Sequence, residues 1–211
     1  MREAIHALKY DRIYAASSGL GHMLAQAIAQ LAGEAPVEML VIPVPLYRSK
    51  YAQRGFNQSR ALAAAALKSL RKSHPQWRLT LASRTLLRQR VTESQAGLTS
   101  RQRRLNVRGA FQVSDPARVA AQDILIVDDI LTTGATVRAA AQALVEAGAA
   151  SVWVATLARA QRAADGFRRP GATQFDEGID EEDPVVVASA MDSRRADFGS
   201  NHSIVHEQPS F

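Results

Sequence analysis

Two adjacent aspartates, Asp128 and Asp129, directly follow four bulky apolar residues in the stretch ILIVDDILTTGAT, residues 124–136. Ionised carboxylates only accept hydrogen bonds, so a neighbouring pair suits a ligand that presents two donors close together. A vicinal diol, such as the 2′ and 3′ hydroxyls of a ribose, is one such ligand, and a divalent cation is another. The pair therefore predicts a site for a sugar diol or a metal ion.

A glycine-centred run of small residues follows the aspartates. Gly134 allows the backbone to turn and to approach a ligand closely, and a helix predicted from Val137 would add N–H groups and a partial positive charge. These features predict a phosphate-binding loop formed by Thr132, Thr133, Gly134, Ala135 and Thr136. Either feature alone is equally consistent with a solvated strand end or a helix cap, but their spacing favours one ligand with a ribose diol and a 5-phosphate.

The elements that must position these residues alternate between strand and helix. Apolar patterning predicts buried strands at 39–45, 109–113, 124–127 and 151–158. Helical periodicity predicts helices at 21–31, 57–72 and 137–147. Asn57 or Ser59 is expected to cap the second helix and Gly148 to follow the end of the third. This alternation predicts an α/β fold with parallel strands, in which ligands bind beyond the carboxyl ends of the strands.

Composition indicates one globular α/β domain, since the chain has 211 residues and is 46% hydrophobic. It contains no cysteine, which excludes disulfides and thiolate metal sites. No apolar run approaches the roughly 20 residues that span a bilayer, and the N-terminus lacks signal-peptide character. A cytoplasmic location without a membrane span is therefore expected.

Charge is distributed unevenly along the chain. Residues 1–170 carry 24 basic and 11 acidic residues, whereas residues 171–211 carry nine acidic and two basic ones. A basic body favours anionic ligands such as nucleic acid or polyphosphate, although a solvated basic surface would account for the charge alone. We expect one domain over 1–160 and an acidic, poorly patterned and weakly ordered extension over 161–211.

The stretch 124–136 resembles the binding motif for phosphoribosyl pyrophosphate (PRPP) in type I phosphoribosyltransferases. Within that group, the chain is similar to the ComF/GntX-type family. The similarity is carried by IPVPLYRSKYAQRGFNQS (42–59), LLRQRVTESQAGLTSRQRRLNVRGAF (86–111), AIHALKY (4–10) and VWVATLAR (152–159). Members carry a cysteine-rich zinc-binding segment ahead of AIHALKY, which this sequence lacks. Gln102 also stands where an acidic residue is expected, and about fifty residues after 160 are unmatched.

The resemblance implies the type I phosphoribosyltransferase fold, with a mainly parallel sheet flanked by helices and a flexible arginine-rich loop. It implies that Asp128 and Asp129 hold the ribose hydroxyls of PRPP and that residues 132–136 hold its 5-phosphate. It does not identify a catalytic residue. The basic residues that would bind pyrophosphate or close as a lid are Arg48, Lys50, Arg54, Arg88, Arg90, Arg101, Arg103 and Arg104.

The implied activity is transfer of a phosphoribosyl group to an unknown acceptor with release of pyrophosphate. The resemblance also implies that Mg²⁺ binds together with PRPP. Among the protein side chains, only Asp128 and Asp129 are candidate ligands for this ion. The alternative is a non-catalytic PRPP- or nucleotide-binding protein that acts in DNA uptake during competence or in nucleic-acid handling, with DNA or the competence machinery as partner. A homodimer is compatible with both interpretations.

Overall fold

The computed structural model describes residues 14–90, 107, 109–131, 134–159 and 189–192. The elements along these residues are α1 (Tyr14–Ala29), β1 (Glu38–Pro43), α2 (Arg48–Arg54), α3 (Gln58–Ser73), β2 (Arg78–Leu81), β3 (Leu86–Arg88), β4 (Phe111–Val113), a 3-10 turn (Pro116–Arg118), β5 (Asp123–Leu131), α4 (Ala135–Glu146), β6 (Ser151–Arg159) and β7 (Ser189–Asp192). Residues 91–106, most of the predicted arginine-rich loop, lie outside the described part.

The main sheet has the strand order β2-β1-β5-β6-β7. The first four strands are parallel, while β7 is antiparallel to β6. The chain runs outward from β1 to β2 and later outward from β5 to β6 on the other side. The direction of winding therefore reverses between β1 and β5, and such a switch point opens a crevice at the carboxyl ends of the two strands. The predicted α/β fold with a mainly parallel sheet is confirmed.

Strand β5 lies at the centre of the core. Four of its nine residues, Ile124–Val127, are completely buried. Leu125 and Val127 belong to the apolar cluster that contains α1 and α3, whereas Ile124 and Ile126 belong to the cluster that contains α4. Because successive strand residues point to opposite faces, the unbroken apolar run requires helices on both faces of the sheet.

Helices α1 and α3 pack against each other at very close range. A Cβ atom on Gly21 of α1 would lie only 2.3 Å from the Cβ atom of Ala65 in α3. The two helices therefore approach as closely as their backbones permit, and a larger residue at position 21 would push them apart. This contact fixes α3, and with it the N-terminal residues of α3 that reach the crevice.

Several elements depart from the sequence predictions. Strand β5 continues to Leu131, past the predicted end at 127, because β6 runs beside it as far as Arg159. The segment after Pro45, where no helix was predicted, contains α2. Strands β2 and β3 were not predicted. Of the predicted extension 161–211, the structure describes β7, which joins the sheet. None of the helices in the described ranges has the length and apolar character needed to cross a bilayer.

Candidate functional site

The two aspartates lie in the crevice between β1 and β5. The last paired residues of these strands are Pro43 and Val127, so Asp128 and Asp129 extend beyond the end of β1. Asp128 still pairs with Thr156 of β6. The two acidic residues are only 9% and 7% exposed. The sequence thus places a pair of nearly buried carboxyl groups at the switch point of the sheet.

The N-terminus of α3 supports both carboxyl groups. The Ser59 hydroxyl donates to Asp128 Oδ1 at 3.2 Å, and the Gln58 amide Nε2 donates to Asp129 Oδ2 at 3.4 Å. Asn57 caps the helix, since its Oδ1 accepts from the Arg60 backbone N–H at 3.2 Å. Its Nδ2 also donates to the Val44 carbonyl at 3.0 Å, which ties α3 to the end of β1. The sequence offered Asn57 as a cap but gave no sign of the contacts made by the next two residues.

Backbone amides complete the support of the acid pair. The N–H of Asp129 donates to Asp128 Oδ1 at 3.0 Å, and the N–H of Ile130 donates to Asp129 Oδ1 at 2.9 Å. These bonds hold each carboxyl group against its own strand. Both side chains are therefore oriented by the fold before any ligand binds.

Burial, and after it the neighbouring negative charge of Asp129, raise the pKa of Asp128 to about 8. The Asp129 backbone N–H and the Ser59 hydroxyl act in the opposite direction. Two adjacent buried carboxyl groups resist simultaneous ionisation until donors or a cation compensate the second charge. The pair is thus prepared for a ligand that supplies such compensation.

Two further polar atoms beside the acid pair are buried. Within the described part of the chain, Gln58 Oε1 and Thr156 Oγ1 have no hydrogen-bond partner. Buried polar atoms in a purely structural core are nearly always bonded, and exceptions gather at functional sites. Because these atoms lie next to Asp128 and Asp129, they indicate a functional site in this region of the core.

Helix α4 follows β5 along the chain and begins at Ala135. Gly134 precedes the helix with a left-handed φ of 69° and provides no side-chain cap. The guanidinium carbon of Arg138 lies 3.4 Å from the point that a Cβ atom on Gly134 would occupy. Of the predicted phosphate loop, Gly134, Ala135 and Thr136 are described, whereas 132 and 133 lie outside the described residues.

Arg138 was not among the predicted site residues. The sequence signal for it is its position four residues after Gly134, which places both on the same side of the first helical turn. A guanidinium over the glycine turn adds a positive charge to the region where a helix N-terminus already favours anions.

Three predicted basic residues form a group that we call the cation cluster: Lys50 and Arg54 of α2 and Arg88 of β3. Partial burial lowers the pKa of Lys50, and the charges of Arg88 and Arg54 lower it further. Burial also lowers the pKa of Arg88, while the charge of Asp128 opposes that effect. Arg88 therefore lies within electrostatic reach of Asp128 and links the cluster to the acid pair.

The remaining basic candidates are more dispersed. Arg48 is exposed at the start of α2, and Arg90 is exposed just after β3. Arg88 itself lies against the ring of Phe111, with its guanidinium carbon 5.5 Å from the ring centroid. This contact holds the Arg88 side chain against β4, the antiparallel partner of β3. The candidates at 101, 103 and 104 lie outside the described residues.

The profile of the phosphoribosyl transferase domain matches residues 57–190. The chain belongs to the phosphoribosyl transferase domain family. The match begins at the Asn57 cap and includes the acid pair and α4. The resemblance to phosphoribosyltransferases inferred from 124–136 is thereby confirmed.

Curated relatives agree with this assignment. The chain is 36% identical over 157 residues to the DNA utilization protein YhgH of Escherichia coli O157:H7, and 34% identical to the one of strain K12. Each match covers 74% of this chain and 65% of the relative, so the chain spans somewhat less than two thirds of their length. Competence protein F of Haemophilus influenzae is 30% identical over 121 residues, which cover 57% of this chain and 50% of that protein.

Proposed function

We propose that the chain binds PRPP at the switch point between β1 and β5 and transfers its phosphoribosyl group to an acceptor. Asp128 and Asp129 receive the ribose hydroxyls, and the loop 132–136 receives the 5-phosphate. The observation that carries the proposal is the buried acid pair, which the start of α3 supports through Gln58 and Ser59.

The diol provides what the acid pair lacks. Two hydroxyl groups donate hydrogen bonds to carboxylate oxygens, and this stabilises the ionised form of Asp128, whose pKa burial has raised. The aspartates are already held by Ser59, Gln58 and backbone amides, so binding needs little reorganisation.

The cation cluster suits the pyrophosphate group. Mutual repulsion and partial burial disfavour the charged form of Lys50, and a bound polyanion relieves both effects. Arginine side chains also bind phosphate oxygens with paired N–H groups. We assign Lys50, Arg54 and Arg88 to the leaving pyrophosphate, with Arg48 and Arg90 at the margin of this region.

The acid pair fits Mg²⁺ only as a partial ligand set. Carboxylate oxygens are suitable donors, but three of the four oxygens of the pair already accept hydrogen bonds from the protein. Mg²⁺ would therefore be held mainly by oxygens of PRPP, and this pair would contribute little to its coordination. When bound, the ion neutralises part of the pyrophosphate charge.

In the transfer step, the bond between ribose C1 and the pyrophosphate oxygen breaks, and a bond forms between C1 and the acceptor nucleophile. Positive charge develops on the sugar as pyrophosphate leaves. The chain's contribution is to position PRPP and to stabilise the leaving anion through the cation cluster. The acceptor's proton passes to solvent or to the departing anion.

A second candidate function is PRPP or nucleotide sensing without chemistry, in a protein that serves nucleic-acid handling. The names of the relatives, which refer to DNA utilization and competence, favour it. In that case the same groups bind PRPP, and pyrophosphate is not released.

Calorimetric titration with PRPP, with and without Mg²⁺, tests the proposal. We predict that Asp128→Asn with Asp129→Asn reduces PRPP affinity by more than about 100-fold, because asparagine keeps an acceptor oxygen but loses the charge. The circular dichroism spectrum should not change. A matched control is Asp123→Asn at the opposite end of β5, where the carboxylate accepts from Ser151 at 2.6 Å; this variant should bind PRPP normally.

The same proteins then separate the two functions. Pyrophosphate release is measured over a panel of nucleobases and amines in the presence of PRPP and Mg²⁺. Release with any acceptor that is lost in the double variant establishes the transferase. PRPP binding without release over the panel favours the sensor, and unchanged PRPP affinity in the double variant refutes the site.

A further inference from the structure

A cavity of about 640 Å³ opens beside the PRPP site, between α2 and the start of β3. Pockets that bind drug-sized ligands have volumes of roughly 300–1,000 Å³, so this cavity is large enough for such a ligand. Of the described residues, neither the acid pair nor Gly134 lines it. It shares one residue, Arg88, with the cation cluster.

The charge around the cavity has one sign. Of the described residues that line it, every charged one is an arginine: Arg48, Arg60, Arg84 and Arg88. They come from α2, the start of α3 and the β3 region, so the fold brings them together from separate parts of the chain. Four guanidinium groups around one opening favour a ligand with phosphate groups.

The cavity also has an apolar and aromatic side. Tyr47 and Tyr51 line it, together with Leu87. Tyr51 is 47% exposed and Leu87 is 43% exposed, and they are two of the three large hydrophobic residues that stand out to solvent in the described part of the chain. Exposed rings beside arginines are the features on which nucleic-acid bases stack while their phosphates are neutralised.

A bare phosphate or pyrophosphate would use the arginines but leave Tyr51 and Leu87 in water. A lipid or apolar peptide would cover those two but leave the guanidinium groups without anions. A nucleotide satisfies both, because it joins a planar base to a phosphate. We propose that this cavity, which we call the tyrosine–arginine cavity, binds a nucleotide unit next to the PRPP site.

This inference does not require transferase activity or PRPP binding. Arg88 belongs to both regions, so the bound nucleotide lies adjacent to the pyrophosphate position. The site therefore brings a nucleotide unit, free or within a single strand, close to the sugar that PRPP carries.

The test uses ligands that do not imitate PRPP. Thymidine 3′-monophosphate lacks both the ribose diol and the 5-phosphate, and a short oligothymidine presents the same unit within a strand. Inorganic pyrophosphate supplies charge without a base. Binding of each is measured by calorimetry to the full chain and its variants.

We expect Arg60→Ala with Arg84→Ala to weaken binding of the thymidine ligands about tenfold or more. Tyr51→Ala should weaken it about fivefold or more, and Tyr51→Phe should retain it because the ring still stacks. The matched control is Arg71→Ala, which removes an exposed arginine from the opposite end of α3 and should have no effect. None of these four positions belongs to the acid pair or the cation cluster.

The outcomes separate this inference from the proposed function. Thymidine binding should persist in the Asp128→Asn, Asp129→Asn double variant, and PRPP binding should persist in the Arg60, Arg84 variant. Binding of the oligothymidine alone identifies a strand as the occupant, and binding of both identifies a nucleotide unit from either source. Equal affinity for the thymidine ligands before and after the Arg60, Arg84 or Tyr51→Ala changes overturns the proposal. So does pyrophosphate binding that is as tight as theirs and that the Arg60, Arg84 change weakens as much.

Discussion

The two helices that begin at the crevice, α3 and α4, start in opposite ways. Asn57 caps α3 with its own side chain, and the two residues after it bond to the acid pair. Gly134 precedes α4 in a left-handed conformation and has no side chain with which to cap. Every helix N-terminus carries a partial positive charge, so the capping residue decides how it is used. The start of α3 is a support built into the fold, whereas we propose that the start of α4 receives an anion.

Protonation of the acid pair should have its largest effect on the side of the site that α3 supports. The pKa of Asp128 is raised to about 8, so its carboxyl group holds a proton below that pH and cannot accept both hydroxyl donors. We predict that PRPP affinity falls by about tenfold per pH unit as the pH drops below about 8. Calorimetry from pH 6 to 9 in the presence of Mg²⁺ measures this dependence.

Stability provides an independent check on Asp128. Its folded-state pKa is raised, so the folded protein holds a proton that the unfolded chain releases between about pH 4 and 8, and stability is lost as pH rises through that window. Asp128→Asn should therefore raise the free energy of unfolding at pH 9 by more than about 1 kcal/mol, and by less at pH 5. A wild-type protein whose stability and PRPP affinity are both flat over this range would argue against a raised pKa.

A substitution that adds a side chain at position 134 should disturb the side of the site where α4 begins. A residue other than glycine at φ 69° costs about 1–2 kcal/mol, and a Cβ atom there meets the Arg138 guanidinium at 3.4 Å. We predict that Gly134→Val weakens PRPP binding about 10- to 30-fold.

Gly33 provides the matched control for backbone strain. It has a φ of 97° with no atom near its Cβ position, in the turn after α1. Gly33→Val should lower the melting temperature much as Gly134→Val does, yet leave PRPP affinity unchanged. Similar losses of affinity in both variants would mean that Gly134 acts through stability alone.

Removing the cap of α3 should have the smallest effect on the ligand. Asn57→Ala loses the bonds to the Arg60 N–H and the Val44 carbonyl, and should lower the free energy of unfolding by about 1 kcal/mol. Chemical denaturation measures this, with Asn57→Ser as the control that keeps a cap. We expect Asn57→Ala to change PRPP affinity less than Gly134→Val does. A larger loss of affinity in Asn57→Ala would contradict the view that α3 supports the site while α4 binds the ligand.

Long periodic segments could be predicted from sequence, and short ones could not. The apolar run of β5 and the helical stripes of α3 and α4 are strong local signals, and Gly148, which follows α4, adopts the left-handed φ of 91° that its predicted position requires. Helix α2 has seven residues, β2 four and β3 three, too few to show a period. The positions of β2 and β3 depend on pairing with β1 and β4.

The candidate site divides in the same way. Asp128, Asp129 and Gly134 are close in sequence, so their chemistry can be read from one short stretch. Gln58 and Ser59 contact that pair from 71 and 69 residues away, and no local pattern reports such a contact. The raised pKa of Asp128 is likewise a property of burial, which composition does not show.

The central claim is that the acid pair recognises the sugar diol, and a combined change in protein and ligand tests it most directly. Affinities for ribose 5-phosphate and 2-deoxyribose 5-phosphate are measured by calorimetry with the wild type and with the Asp128→Asn, Asp129→Asn variant. We predict that the wild type prefers the ribose compound by about tenfold or more, because the deoxy sugar leaves a carboxylate acceptor unpaired, and that the preference disappears in the variant. An equal preference in both proteins would show that the hydroxyls are recognised elsewhere.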